Sequence, residues 1–144
     1  PAADVSGWQS LRTYGVSLDE QGYPFYRGLI WYRHDFELPK NARKAGSLRL
    51  WIGGVDDTAH VWVNNQPLGK FPGKYFAPVD LDITAAVNRD GPNVVVVAVD
   101  NTGINELGTG GIMRPVFLYE PKIKPADQEK GPEKKGDQPL FGGQ

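Results

Sequence analysis

The residues that could perform acid–base chemistry in this 144-residue chain are mainly carboxylates, because Asp and Glu number 17 and His only 2. Two facing carboxylates can act as general acid and general base in hydrolysis. The acids available for such a role are Asp19 with Glu20, Asp56 with Asp57, Asp80 with Asp82, and Glu106. Asp80 and Asp82 alternate with apolar residues along residues 79–83, which is typical of the solvated face of a strand. We therefore expect no catalytic pair.

A nucleophilic triad is not indicated either, because the chain has no cysteine and no G-x-S-x-G turn. The two histidines have structural interpretations. His34 alternates in register with Tyr32 and Phe36, and His60 shares a strand face with Trp62. Two histidines without a third ligand at suitable spacing do not make a zinc site. We expect no catalytic residue in this chain.

Oxygen ligands for calcium are available at residues 56–57 and 100–101, each an adjacent pair of Asp and Asp or Asp and Asn. Calcium sites in loops usually draw on six or more oxygens at regular spacing. No regularly spaced series of oxygen-bearing residues follows either pair. We therefore predict no metal and no cofactor.

The elements that would position any site are strands, because apolar residues recur at every second position. The tryptophans at 31, 51 and 62 fall on the polar side of this alternation, so they either cover the outer face of a sheet or dock a neighbouring domain. The predicted strands are residues 30–38, 48–52, 59–64, 79–83, 94–99 and 116–119.

The strand pattern predicts an all-β, antiparallel β-sandwich. The valine run at 94–99 is apolar on both faces, so it should be a central strand. Asn64 and Asn65 tolerate the positive φ angles of a tight hairpin. Thr84 could cap a single helical turn over residues 84–87, and no longer helical pattern alternates with the strands.

Composition separates a structured domain, residues 1–121, from a tail or linker, residues 122–144, which is rich in Pro, Gly and mixed charge. Sixteen basic and 17 acidic residues give a formal charge of -1, which argues against nucleic-acid partners. No apolar run approaches the roughly 20 residues that span a bilayer, so no membrane partner is expected either. The given sequence opens on Pro1 and not Met and shows no charged and apolar leader, so we expect any leader to have been removed already.

Seven short segments follow one another in a characteristic order. They are GLIWYR at 28–33, FELP at 36–39, LWIGGVD at 50–56, VWVN at 61–64, DIT at 82–84, GPN at 91–93 and GIMR at 111–114. Their order and spacing resemble the sugar-binding domain of family 2 glycoside hydrolases, and the resemblance extends from about Trp8 to Pro121. Asn65 stands where that family usually has glycine, and Pro115 follows Arg114 where a strand donor is more usual.

The resemblance implies a jelly roll that is galactose-binding domain-like, and a non-catalytic, carbohydrate-binding accessory domain of a β-galactosidase-like or β-glucuronidase-like enzyme. In such enzymes the catalytic glutamates lie in a separate barrel, so this chain is not expected to be an enzyme by itself. The expected partners are a carbohydrate or a neighbouring catalytic domain. We expect an extracytoplasmic location, periplasmic or secreted.

Two loops are the predicted binding sites, because loops on a rigid sandwich carry function. The first, residues 14–28, offers Tyr23, Tyr26 and Arg27. The second, residues 102–111, offers Asn105 and Glu106, and the resemblance implies that it edges the active site of the barrel. Aromatic rings can pack on sugar C–H groups while amides and carboxylates bind hydroxyls. The alternative is that these aromatics only pack the loop onto the sandwich.

Two other interpretations remain open at this point. The domain could be a structural interaction module that binds no sugar. It could also be the equivalent domain of a sialate O-acetylesterase-like enzyme, because related jelly rolls occur there and the segments above do not separate the hosts.

Overall fold

The computed structural model of the chain describes residues 4–72, 77–103 and 110–122. Nine strands account for a little under half of these residues, and two single 3₁₀ turns lie at Asp19–Gln21 and Ala42–Lys44. The strands are β1 (Gly28–Glu37), β2 (Arg49–Ile52), β3 (Val55–Asp56), β4 (Thr58–Val63), β5 (Gln66–Pro72), β6 (Val79–Asp82), β7 (Pro92–Asn101), β8 (Gly111–Ile112) and β9 (Val116–Tyr119).

The strands form two main antiparallel sheets. One sheet has the order β1-β7-β4-β5, and the other has the order β6-β2-β9. Strands β3 and β8 make a small third ladder. The pairing between β1 and β7 is the longest, running from Gly28 opposite Asn101 to Glu37 opposite Pro92. The predicted antiparallel, all-β sandwich is confirmed.

The core lies between the two main sheets and is built from the predicted alternation. Leu50 and Ile52 of β2 face Val61 and Val63 of β4 and Val99 of β7 across one cluster, and each of the five is at most 2 % exposed. Burial of aliphatic side chains on this scale is the main term that favours folding. The valine run occupies a central strand, β7, as predicted.

The structure differs from the predicted elements at strands β3, β5 and β8, which were not predicted, and at residues 84–86. Strand β5 was not predicted, because Pro67, Gly69 and Pro72 interrupt its alternation. Proline is tolerated in β5 because this strand lies at the edge of its sheet. Residues 84–86 form a turn instead of an assigned helix, although the amides of Ala86 and Val87 donate to the carbonyl of Ile83 at 2.9 and 3.2 Å.

An asparagine network joins the β4–β5 hairpin to the start of β7. Asn64 and Asn65 both adopt positive φ, 49° and 66°, as predicted for the hairpin. The Asn64 amide nitrogen donates to the Ala86 carbonyl and to Asn93 Oδ1, at 2.9 and 2.7 Å. Asn93 is completely buried. Because buried amides need partners, this network fixes where the hairpin meets the neighbouring turn.

Candidate functional site

The first predicted loop is held by local hydrogen bonds. Leu18 is buried, and its carbonyl accepts from the amides of Gln21 and Tyr23, both at 3.0 Å. The 3₁₀ turn ends at Gly22, whose φ of 95° suits glycine. Glu20 accepts from the Ser17 amide at 2.8 Å. The loop therefore presents Tyr23 from a defined backbone.

A pocket of about 350 Å³ lies between this loop, the N-terminal segment and the first residues of β1. Aromatic and aliphatic side chains make up most of its wall, and one amide lies among them. The lining residues are Trp8, Gln9, Leu11, Leu18, Tyr23, Tyr26, Leu29, Ile30 and Trp31. Two predicted site residues, Tyr23 and Tyr26, thus come together in one concave site.

The two tyrosines are oriented by contacts that the structure defines. Their rings meet edge to face, with centroids 6.4 Å apart and planes at 85°. The Tyr23 hydroxyl donates to the Gln9 side-chain oxygen, and the Tyr26 hydroxyl donates to the Leu29 carbonyl at 3.1 Å. Each ring is therefore fixed at its polar end, which leaves its apolar faces for packing.

Trp31 connects the pocket to the outer face of the four-stranded sheet. Its ring stacks on Trp62 at a centroid distance of 5.8 Å, and Trp62 stacks on His60 at 6.0 Å. Trp8 and Trp31 are 43 % and 49 % exposed. These indoles offer apolar surface to a ligand without any rearrangement of the core.

Arg27 and Asn101 join the first loop to the start of the second. The Arg27 guanidinium donates to the Thr102 carbonyl at 3.1 Å, and the Asn101 amide donates to the Tyr26 carbonyl at 2.7 Å. Arg27 does not line the pocket among the residues that the structure describes. Asn105 and Glu106 lie outside the described residues, so their proposed role in binding stays a prediction.

Replacement of Asn101 by alanine should destabilise the domain. Asn101 is 3 % exposed, so the variant leaves the Tyr26 carbonyl without its donor in a shielded place. We expect a loss of about 1–3 kcal/mol in the free energy of unfolding, measured by urea titration. The exposed Lys40→Ala is the control, and equal stability of both variants would contradict the assignment.

The acids Asp56, Asp57 and Asp100 lie near each other where β3, β4 and β7 meet. The pKa of Asp57 is raised, mainly because its carboxyl is partly removed from water. A hydrogen bond with Asp56, the charge of Asp56 and the charge of Asp100 add to this rise. The Gly103 amide donates to the same carboxyl and opposes this rise. Three neighbouring carboxylates have the composition of a metal site. The described residues nevertheless hold no set of three or more His, Asp or Glu arranged to bind a metal ion.

Asp57→Asn should therefore stabilise the domain in a pH-dependent way. The pKa of Asp57 is higher in the folded state than its ordinary value of 3.8. Ionisation of this carboxyl therefore destabilises the fold once the pH rises above 3.8. The gain in melting temperature of the variant over the wild type should be larger at pH 7 than at pH 3, where the carboxyl is protonated in both states. Equal gains at both pH values, measured by calorimetry, would refute the stated cause.

The pocket contains residues that the sequence did not point to. Trp8 and Gln9 lie in a segment with no periodic pattern, and Trp31 was placed on an outer face but not in a binding site. The useful signal was the number of aromatic residues before and within β1. Within the part of the chain that the structure describes, no helix has the length and apolar content to cross a bilayer.

Comparison with known proteins identifies the domain. The family model described as "Glycosyl hydrolases family 2, sugar binding domain" matches residues 8–120. A β-glucuronidase of Paenibacillus borealis is 30 % identical over 106 residues, which are 74 % of this chain and 16 % of that protein. A β-glucuronidase of Formosa agariphila is 28 % identical over 65 % of this chain and 11 % of that protein.

Solved structures agree with the sequence matches. The crystal structure of a Bacteroides uniformis β-glucuronidase superposes with a TM-score of 0.66 at 28 % identity, over 81 % of this chain and 15 % of that one. A family 2 glycosyl hydrolase from Bacteroides cellulosilyticus gives a TM-score of 0.58 at 29 % identity, over 65 % and 13 %. The chain thus spans about one sixth or less of these relatives. The predicted resemblance is confirmed: the chain belongs to the family of sugar-binding domains of family 2 glycosyl hydrolases.

Proposed function

We propose that this domain binds a carbohydrate through the aromatic pocket and performs no catalysis itself. The observation that supports the proposal is the meeting of Trp8, Tyr23, Tyr26 and Trp31 around one concave site. The family to which the chain belongs is consistent with this role. The activity of a whole enzyme would then come from a neighbouring catalytic domain, as predicted.

The chemistry of the pocket suits one sugar ring. A volume of about 350 Å³ is at the lower end of the range for small-molecule sites. The apolar C–H face of a pyranose can pack against the indoles of Trp8 and Trp31. The Gln9 side-chain nitrogen can donate to sugar hydroxyl groups, and the tyrosine hydroxyl oxygens, whose hydrogens are already donated within the protein, can accept from them. The curated relatives are β-glucuronidases, so glucuronides are the first ligands to test and galactosides the second.

A second candidate function is an interaction module that binds no sugar. The outer face of the three-stranded sheet favours it, because Trp51 stacks on Phe117 at 5.9 Å and Phe117 is 47 % exposed. Exposed aromatic surface of this kind is typical of interfaces with other domains. The two functions use opposite sheets, so both could operate in one domain. An extracytoplasmic location and the 1–121 domain boundary stay predictions.

Isothermal titration calorimetry tests the proposal directly. Phenyl glucuronide, phenyl galactoside and mixed oligosaccharides should release or absorb heat with the wild type, and Tyr23→Ala should weaken binding at least tenfold. Tyr14→Ala is the matched control, because Tyr14 is 64 % exposed and is not a pocket residue. Absence of heat with every sugar would leave the interaction module as the function.

A further inference from the structure

One side of the sandwich is open between β1 of the four-stranded sheet and β9 of the three-stranded sheet. The opening has a volume of about 610 Å³ and lies next to the aromatic pocket, with which it shares a wall made of Trp8, Gln9, Leu11 and Trp31. Core residues of the two sheets form its floor, including Leu50, Val95 and Val97. We call this opening the β1–β9 groove.

Exposure of inward-facing side chains shows that the core is incompletely covered at the groove. On β1, Phe36 points toward the core but is only partly buried, and His34, on the same face, is exposed. On β9, Val116 and Leu118 are also only partly buried. The corresponding residues of the central strands are at most 9 % exposed. Apolar surface is therefore available along the whole length of the groove.

The groove is also bordered by two strand edges. Among the described residues, the ladder bonds of β1 run to β7 and those of β9 run to β2. The N-terminal segment, residues 5–13, contributes side chains to the groove, but its described backbone bonds do not run to β1 or β9. The Trp8 amide donates to the Val5 carbonyl, the Ser6 amide donates to the Asp4 carboxylate, and the Arg12 amide and carbonyl bond to the Gln21 side chain. An edge strand presents a row of N–H and C=O groups that pair readily with another strand.

We propose that the β1–β9 groove accepts an extended polypeptide strand whose alternate side chains are apolar. Backbone groups of the incoming strand pair with the edge of β1 that has no ladder partner among the described residues, and its apolar side chains cover the exposed part of the core. This is the chemistry of β-strand addition, in which main-chain bonds give affinity and pockets for alternate side chains give specificity. In the curated relatives the matching region is joined to a much longer polypeptide, which can supply such a strand covalently.

Other occupants fit the groove less well. A sugar would leave the backbone edges unpaired, and the floor of the groove is formed by the aliphatic core residues Leu50, Val95 and Val97, which offer a sugar no hydrogen-bond partners. A second copy of the chain could pair only through its own β1 or β9 edge. The half-buried apolar residues of both strands point into the groove of that second copy, so they are not available to cover the groove of the first. A separate strand can pair with the backbone groups of the β1 edge and cover the exposed apolar side chains at the same time.

Hydrogen–deuterium exchange of the whole chain tests the inference. The probe is a peptide of the length of β1 that alternates valine and threonine between terminal lysines, and the control peptide has every valine replaced by serine. The valine peptide should slow exchange at residues 29–37 and 116–119, and the serine peptide should not. Failure of the valine peptide to protect these amides at millimolar concentration would overturn the inference.

The two histidines of the chain provide matched variants. His34→Glu puts a charge in the groove at an exposed position, so the fold should persist while peptide affinity falls at least tenfold. His60→Glu changes the outer face of the same sheet and should leave peptide affinity unchanged. Equal effects of both variants would overturn the inference. Dimers of the chain alone that protect the same amides, or protection of residues 32–37 and 116–119 by sugars, would assign the groove to another occupant and would also overturn it.

Discussion

Asn93→Ala should lower the free energy of unfolding by about 3–4 kcal/mol, one of the largest losses expected for a single polar residue in this domain. The Asn93 side chain uses its full hydrogen-bonding capacity. Its oxygen accepts from the Asn64 side chain at 2.7 Å and from the Asn88 amide at 2.6 Å. Its nitrogen donates to the carbonyls of Asn88 and Gly91, at 2.8 and 3.1 Å.

The size of this effect follows from burial. Asn93 is 0 % exposed, so water cannot replace the lost partners without opening the turn between residues 87 and 93. Each buried group left without a partner costs about 1–3 kcal/mol. A small domain has only about 5–15 kcal/mol of net stability, so the variant should unfold at a clearly lower urea concentration.

Asn41→Ala is the matched control, because the Asn41 side chain makes no capping hydrogen bond and the residue is exposed. This control should change stability by less than about 0.5 kcal/mol. A loss for Asn93→Ala no larger than that of Asn41→Ala would show that the asparagine network does not stabilise the fold.

Trp31→Ala should weaken carbohydrate binding at least tenfold, which corresponds to about 1.4 kcal/mol. The indole lines the pocket and is half exposed, so its removal takes away ligand-facing apolar surface. The fold should survive, because the lost contact with Trp62 is worth about 0.5–1.5 kcal/mol beyond its buried area.

Trp51→Ala is the matched control for Trp31→Ala. Trp51 stacks on Phe117 at 5.9 Å in the other sheet and does not line the pocket, so its removal costs a comparable stacking contact without removing a pocket residue. Titration calorimetry should give a wild-type dissociation constant for this control. If both variants weaken binding equally, loss of stability and not loss of a contact would explain the Trp31 result.

The strands were predictable where one face of a sheet is buried. Residues 30–38, 59–64 and 94–99 alternate or run apolar because their neighbours cover them on one or both sides. Strand β5 has no such signal, because an edge strand can include Pro67 and Gly69 without losing ladder bonds to a second neighbour. Local pattern therefore identifies central strands better than edges.

The pocket was only partly predictable. Tyr23 and Tyr26 were singled out because they lie in one loop, and the structure brings them together. Trp8 and Trp31 join them because the N-terminal segment, the loop and the start of β1 pack together, which no periodic pattern in the sequence encodes. Arg27 was predicted for the same site, but its guanidinium is directed to the Thr102 carbonyl.

Nuclear magnetic resonance of the four tryptophan indoles tests the central claim, sugar binding at the aromatic pocket, most directly. On addition of the glucuronide or galactoside that gives heat, the indole N–H signals of Trp8 and Trp31 should shift, and that of Trp51 should stay in place. Unchanged signals for Trp8 and Trp31 at saturating sugar, or a shift confined to Trp51, would contradict the account.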